Sequence, residues 1–451
     1  MSPQTSTLPR TPLKISFIGA GSLGFTRKLL LDLMSVPAFR SLEVAFMDID
    51  ASILEKVRQQ CQRDLDANGI PIRIESTTNR AQALKGAHYV VNTVRIGGLE
   101  AFQHDIEIPL RYGVDQCVGD TLGPGGLFYA QRTIPFMLDL CADVRAHAAP
   151  DCRLLNYANP MAMNTWACLA FGKVPTIGLC HGVQGGHRLM ADLLEIPMEE
   201  LDIICAGINH QTWYIQARHE GRDQLPEFTK RANASEEFRA REPVRLDILN
   251  RFGYFSTESN GHLSEYLAWY RKRPQALEAW ISRSAWIGGE TGGYLRHCRE
   301  TRDWAEKEFA RLQEEPAADL ASRERSIEHG SYIIEALENG ARYRGHFNVR
   351  NGGIITNLPA DAIVEAPGYV DGNGVSMPVV GPLPMGCAAI CRQSIDVQRL
   401  GVEAAVNGDA SLLRQALLLD PLTGAVCTPE EVWRMADEML AAEAEWLPQY
   451  S

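Results

Sequence analysis

Through the first half of the chain, short apolar or β-branched runs alternate with longer amphipathic stretches, the pattern of a doubly wound α/β sheet. Five runs read as strands, at residues 15–18, 42–47, 89–94, 153–157 and 176–179. Ligands of an open parallel sheet bind beyond the carboxyl ends of its strands, so the residues just past each run are the informative ones. They are Gly19, Asp48, Arg95, the Ala158-Asn159-Pro160 turn and Cys180. The second half has a different grain. A strand at 212–217 is followed by charged, helix-rich sequence to about residue 345. Next comes the β-rich stretch GGIITNLPADAIVEAPGYVDGNGVSMPVV, in which Asp371-Gly372-Asn373-Gly374 predicts a hairpin turn. Helices close the chain over 395–447. No repeat or low-complexity linker separates the halves, so the second is expected to pack firmly on the first.

Composition narrows the partners. With 451 residues, 45% hydrophobic and 22% charged, the chain can fill about two full cores. A net charge of −12 repels polyanions, which argues against nucleic acid or an acidic membrane surface and for small-molecule chemistry. The opening MSPQTSTLPRTPLK lacks a signal peptide's apolar core, and no apolar run approaches a membrane span, so a cytoplasmic location is expected. Eleven scattered cysteines fit reduced thiols better than a disulfide framework. Cys387 and Cys391 lie one helical turn apart with no nearby histidine, and read as core thiols.

Gly19-Ala20-Gly21-Ser22-Leu23-Gly24 fits G-x-G-x-x-G between an apolar run and a helical one. Gly19, Gly21 and Gly24 would let the backbone approach a pyrophosphate seated on the amides of a helix N-terminus. Asp48, at the second strand's end, would accept hydrogen bonds from the adenosine ribose and so favour NAD over NADP. Asp50 reads as a helix cap. Asp120, opening Asp-Thr-Leu-Gly-Pro-Gly-Gly, is either a cap or a carboxylate beside the nicotinamide. Asn159, held extended before a proline, can aim its amide at a substrate. Cys180 and His181 lie at the mouth of the same cleft, and His210 follows in Gly207-Ile208-Asn209-His210. A thiolate and an imidazole suit a borderline divalent metal.

Together GAGSLG, MDID, DTLGPGG, NYANPMAMNTWA, LCHGVQG, AGINH and GYFSTESNGHLSEY resemble glycoside hydrolase family 4, most closely its bacterial α-galactosidase (melibiase) branch. The likeness runs from about Lys14 to the C-terminus. It implies an α/β fold: a Rossmann-type, doubly wound parallel sheet like that of lactate and malate dehydrogenases, followed by an α+β domain. The expected divisions are a disordered tail over 1–13, an NAD-binding domain over 14–205, and a domain over 206–451 that completes the metal and substrate site.

The resemblance also implies a redox-assisted elimination, outside the usual two-carboxylate scheme of glycoside hydrolysis. NAD+ takes hydride from C3 of the sugar, the ketone acidifies the C2 proton, and a divalent metal, usually Mn2+, bridges O2 and O3. A base removes the C2 proton, the glycosidic oxygen leaves C1 with help from a general acid, water adds, and the hydride returns. Cys180 and His210 match the family's metal ligands. His181 occupies the general acid's position in α-specific members, and Asn159 matches a residue contacting the sugar hydroxyls. For the base, where 6-phospho-sugar members use tyrosine, a rough register points to His262, ahead of Glu258; Asn260 cannot serve. Homodimers or homotetramers are the family's usual assemblies.

One departure bears on the sugar: Gly182 follows the Cys-His pair where the α-galactosidase branch carries serine. No basic cluster suits a 6-phosphate, but Arg283, Arg296 and Arg350 could bind a uronate, so α-glucosides, α-glucuronides and α-galacturonides stand beside α-galactosides. A simple NAD-dependent 2-hydroxyacid dehydrogenase is the alternative of another class. It predicts net NADH formation, no metal, and a carboxylate-binding arginine with a histidine-aspartate pair, of which the sequence shows no convincing trace. A non-catalytic NAD sensor would leave Cys180, His181 and His210 without a shared task.

Overall fold

The computed structural model describes residues 12–282 and 285–450. Six parallel strands form its first half: β1 (Lys14–Ile18), β2 (Glu43–Met47), β3 (Ile74–Thr77), β4 (Tyr89–Asn92), β5 (Arg153–Asn156) and β6 (Thr176–Gly178). Their spatial order is β3-β2-β1-β4-β5-β6, the arrangement of a dinucleotide-binding sheet. β1 and β4 are buried along their whole length because helices cover both faces. Those of this half are α1 (Leu23–Met34), α2 (Ala51–Ala67), α3 (Arg80–Leu84), α4 (Gly98–Arg111), α5 (Gly123–His147), α6 (Met161–Ala167) and α7 (Gly182–Leu194). In α2 the buried Leu54, Val57, Cys61 and Leu65 recur at helical spacing and face the sheet. Asp50 caps this helix as expected, accepting from Ser52 N at 2.9 Å and Ile53 N at 3.0 Å.

The second half extends the same sheet. β7 (Asp202–Ile208), β8 (Gln211–His219), β9 (Arg222–Asp223), β10 (Phe255–Ser256), β11 (Tyr343–Arg350), β12 (Ile363–Asp371) and β13 (Gly374–Ser376) complete it. β11 joins β6 antiparallel with Asn348 opposite Gly178, and β12 joins β7 with Glu365 opposite Gly207. The 205/206 boundary therefore falls inside β7. The expected hairpin is present, with Asp371 paired to Gly374. Five strands, β3, β7, β9, β10 and β11, were not expected; the IEST sequence of β3 has a single fully buried position and lies at the sheet's edge.

Packing also joins the halves. The helix Met385–Asn407 lies on α5 and α6, where Gln131 Nε2 donates to Gly401 O at 3.0 Å. One core cluster includes Leu127 and Phe128 from the first half and Trp213, Val364 and Cys391 from the second. Cys387 and Cys391 are core thiols, and all eleven cysteines are unpaired. A segment at 318–326 returns over α1 and α2. Ala318 N donates to Asp64 Oδ1 at 2.8 Å, Leu320 N to Asn68 Oδ1 at 3.0 Å, and Arg323 Nη1 and Ser326 N to Asp32 Oδ1 at 2.7 and 3.0 Å. Among the described residues no helix is long and apolar enough to cross a membrane. Residues 1–11 of the expected tail, and Arg283, lie outside the described residues.

Candidate active site

β1 ends in a turn whose first amides, Gly19 N and Ala20 N, both donate to Met47 O. The chain crosses so close to its neighbours that side chains are excluded. Gly19 has φ +83°, and a Cβ there would lie 2.8 Å from Val94 N; one on Gly21 would lie 2.7 Å from Asp48 Oδ2. Gly21 N donates to that same oxygen at 2.7 Å, while Gly24 faces open space. The turn leads into α1 and borders a cavity of about 700 Å3 that also touches Ile53, Arg95 and Tyr294. Free amides at a helix N-terminus, with a carboxylate at the end of β2, fit a dinucleotide's pyrophosphate and ribose diol.

An inner cavity of about 530 Å3 shares Ser22, Arg95 and Tyr294 with the first. On its floor, ligand atoms of Cys180, His210 and Glu258 all lie within 4.8 Å of one another. Glu258 Oε1 is 3.8 Å from Cys180 Sγ and 3.9 Å from His210 Nε2. Thr121 Oγ1, 2.8 Å from His210 Nδ1, fixes the ring so that Nε2 faces the cluster. Sulfur, nitrogen and carboxylate oxygen at this spacing fit a Mn2+- or Zn2+-type ion. The sequence brought Cys180 and His210 forward as ligands but weighed Glu258 only as a base. Its place is visible only when the loop after β10 folds over the strand ends. His210 and Glu258 both adopt left-handed φ, +62° and +70°, at a cost of about 1–3 kcal/mol each. Glycine at 182 leaves room for this arrangement, since a Cβ there would sit 1.7 Å from Glu258 Oε1.

Asp120 is buried and caps no helix: α5 begins after Leu122 without a side-chain cap. Its Oδ2 accepts from Asn159 Nδ2 at 2.9 Å, and its Oδ1 from Thr121 Oγ1 at 2.8 Å. Asn159, Asp120, Thr121 and His210 thus form one hydrogen-bonded chain along the cavity wall. The peptide bond between Asn159 and Pro160 is cis. His262 lies one T-shaped ring contact from His210, its Nδ1 2.8 Å from Ser259 Oγ. His181 stands at the mouth, its side chain 62% exposed, with Nδ1 3.4 Å from Glu328 Oε1.

These surroundings set protonation. Burial, with the charges of Glu258 and Glu365, pushes the Cys180 thiol well up when no cation is near. Burial also pushes Glu258 up, but His210, His262 and His181 outweigh it and hold the carboxyl below its usual range. Burial lowers His262 and so favours a neutral imidazole, whereas the Glu328 carboxylate raises His181. Behind the cluster, burial pushes Glu365 up to about 8. Two of the arginines considered for a uronate, Arg296 and Arg350, stand elsewhere. Arg296 is held by Glu290 and Glu300, Arg350 is exposed at the end of β11, and neither lines the cavity.

The description "Family 4 glycosyl hydrolase" matches residues 14–196, and "Family 4 glycosyl hydrolase C-terminal domain" matches 205–423. The chain is 55% identical over 439 residues to an α-galactosidase of Rhizobium meliloti, covering 97% of this chain and 90% of that one. It is 34% identical to an α-galactosidase of Bacillus subtilis, covering 97% and 99%. The fold also matches a 6-phospho-β-glucosidase of Thermotoga maritima solved with manganese, NAD+ and glucose-6-phosphate, with a TM-score of 0.78, 22% identity, and coverage of 96% and 99%. Both halves of the chain belong to glycosyl hydrolase family 4.

Proposed function

We propose that this family 4 enzyme is an α-galactosidase that works by reversible oxidation of its sugar. The observation that supports the mechanism is that the cavity bordered by the Gly19–Gly24 turn and the cavity lined by Cys180, His210 and Glu258 share Ser22, Arg95 and Tyr294. The galactoside assignment rests on the 55% identity. When bound, NAD+ would supply a hydride acceptor for C3 and Mn2+ would supply Lewis-acid polarisation of the adjoining hydroxyls.

The chain's own residues then divide the work between the NAD-binding half, 14–205, and the half that completes the site, 206–451. The Gly19–Gly24 turn, through the amides that open α1, and Asp48 hold the dinucleotide, and Cys180, His210 and Glu258 hold the metal. Asn159 and Asp120 orient the sugar hydroxyls, their mutual hydrogen bond fixing both. His262, buried and neutral, is placed to take the C2 proton; His181 donates to the departing glycosidic oxygen. The one guanidinium lining the inner cavity among the described residues, Arg95, lies against the rings of Phe102 and Tyr129 and also borders the dinucleotide cavity.

The test is turnover of an aryl α-galactoside with NAD+ and Mn2+ in D2O. Released galactose should carry deuterium at C2, with no net NADH. Hydrolysis independent of NAD+ would overturn the mechanism, and net NADH without aglycone release would indicate a dehydrogenase. Preference for α-glucosides, α-glucuronides or α-galacturonides in the same assay would overturn the sugar. We further propose a cytoplasmic enzyme, supported by its unpaired thiols, and a homodimer or homotetramer, to be checked by light scattering.

A further inference from the structure

His181 cannot orient itself. It is the residue preceding α7, makes no capping hydrogen bond, and is largely exposed. A proton donor needs one ring nitrogen fixed so that the other is presented in a single tautomer. The only described carboxylate paired with its Nδ1 is Glu328, which comes from the far end of the 318–326 crossing and is itself 2% exposed. Lys28 of α1 anchors Glu328 Oε1 at 2.7 Å, and Ser326 Oγ accepts from Glu328 N at 3.3 Å. Ser326 N is tied in turn to Asp32 of α1. The next residue, His329, reaches the same strand end, its Nε2 3.1 Å from Cys180 O and its Nδ1 2.6 Å from Tyr343 OH. Two consecutive residues of the second half, Glu328 and His329, therefore clamp two consecutive residues of the first, Cys180 and His181.

We infer that Glu328 is a positioning residue for proton donation: its carboxylate accepts a hydrogen bond from His181 Nδ1–H, turns Nε2–H toward the glycosidic oxygen, and is held in place by Lys28. The inference rests on the assignment of His181 as donor. Because Lys28 also borders the dinucleotide cavity, the donor is anchored on the helix that receives the cofactor.

A donor's partner matters most when the leaving group is poor. The measurement is kcat/KM of the holoenzyme, Glu328→Gln, Glu328→Asp and His181→Asn on 2,4-dinitrophenyl, 4-nitrophenyl and methyl α-galactosides and on melibiose. For Glu328→Gln the loss should grow to about 10–100-fold on melibiose, as expected for an outer partner of a working histidine, and shrink toward none on the dinitrophenyl substrate. Glu328→Asp, which keeps the charge, should recover part of it. His181→Asn should show the same trend more steeply. Thermal melting checks that each variant is folded, and Mn2+ affinity should stay within about twofold of the parent.

A Glu328→Gln loss that is equal across leaving groups, or absent, while His181→Asn keeps its trend, would overturn the inference and leave the proposed function standing. A His181→Asn variant without that trend would remove the donor assignment and the inference with it, while C2 deuteration would still report on the elimination.

Discussion

At the scale of single residues, the metal site makes two predictions. Thr121→Val removes the hydroxyl that fixes His210 Nδ1, so Mn2+ affinity should fall about 10–100-fold, read by the paramagnetic resonance of free Mn2+. An unchanged affinity would show that the ring is held by packing instead. Gly182→Ala places a methyl where Glu258 Oε1 now lies, so the carboxylate must swing away from Cys180 and His210. Weaker Mn2+ binding is expected in Gly182→Ala, with no further loss when it is added to Glu258→Ala; additive losses would mean the two residues act separately. Cys180 and His181 were legible in the sequence because each follows a strand run, where a parallel sheet puts its chemistry. Glu258 was weighed there only as a base, and its place beside Cys180 was not legible, since nothing local ties it to a cysteine 78 positions away.

At the scale of elements, the legible parts were those that satisfy themselves locally. The Asp50 cap and the Asp371–Gly374 hairpin draw hydrogen bonds from within a few residues; the GAGSLG turn, whose Gly19, Ala20 and Gly21 amides donate to Met47 and Asp48, was legible instead by its glycine spacing. Asp50→Ala should therefore cost about 1 kcal/mol in urea unfolding. Crossings made over long separations were illegible, including β11 beside β6 and the 318–326 segment on α1 and α2. That segment hangs on the buried Asp32, which Arg323 and Ser326 both address. In Asp32→Ala, amide exchange over 318–326 should accelerate while the exchange of β1 and β4 stays slow. Uniform acceleration would show that Asp32 supports the whole domain rather than the crossing.

At the scale of the molecule, the two divisions expected over 14–205 and 206–451, read as packing firmly together, share a sheet and a core, and that should show as cooperativity. Calorimetry should give one unfolding transition, where domains joined only by a linker would give two. NAD+ at about 100 times its Kd should add roughly 2.7 kcal/mol to the stability of the whole molecule; protection confined to the first half would contradict the shared core. Fold class and cofactor were readable from sequence because the first half carries its signature in order. The unity of the sheet was not, because antiparallel pairing between β6 and β11 leaves no local pattern.

The seam between β6 and β11 also determines how the protein can be cut. Without its second half, a fragment ending near residue 196 would present the free main-chain donors and acceptors of Thr176–Gly178, beside the apolar faces of α5 and α6. An open strand beside bare apolar surface recruits other chains. Either fragment made alone should aggregate, whereas the two produced together should reassemble into an active complex, so that enzyme activity itself becomes a split-protein reporter of two tethered partners meeting.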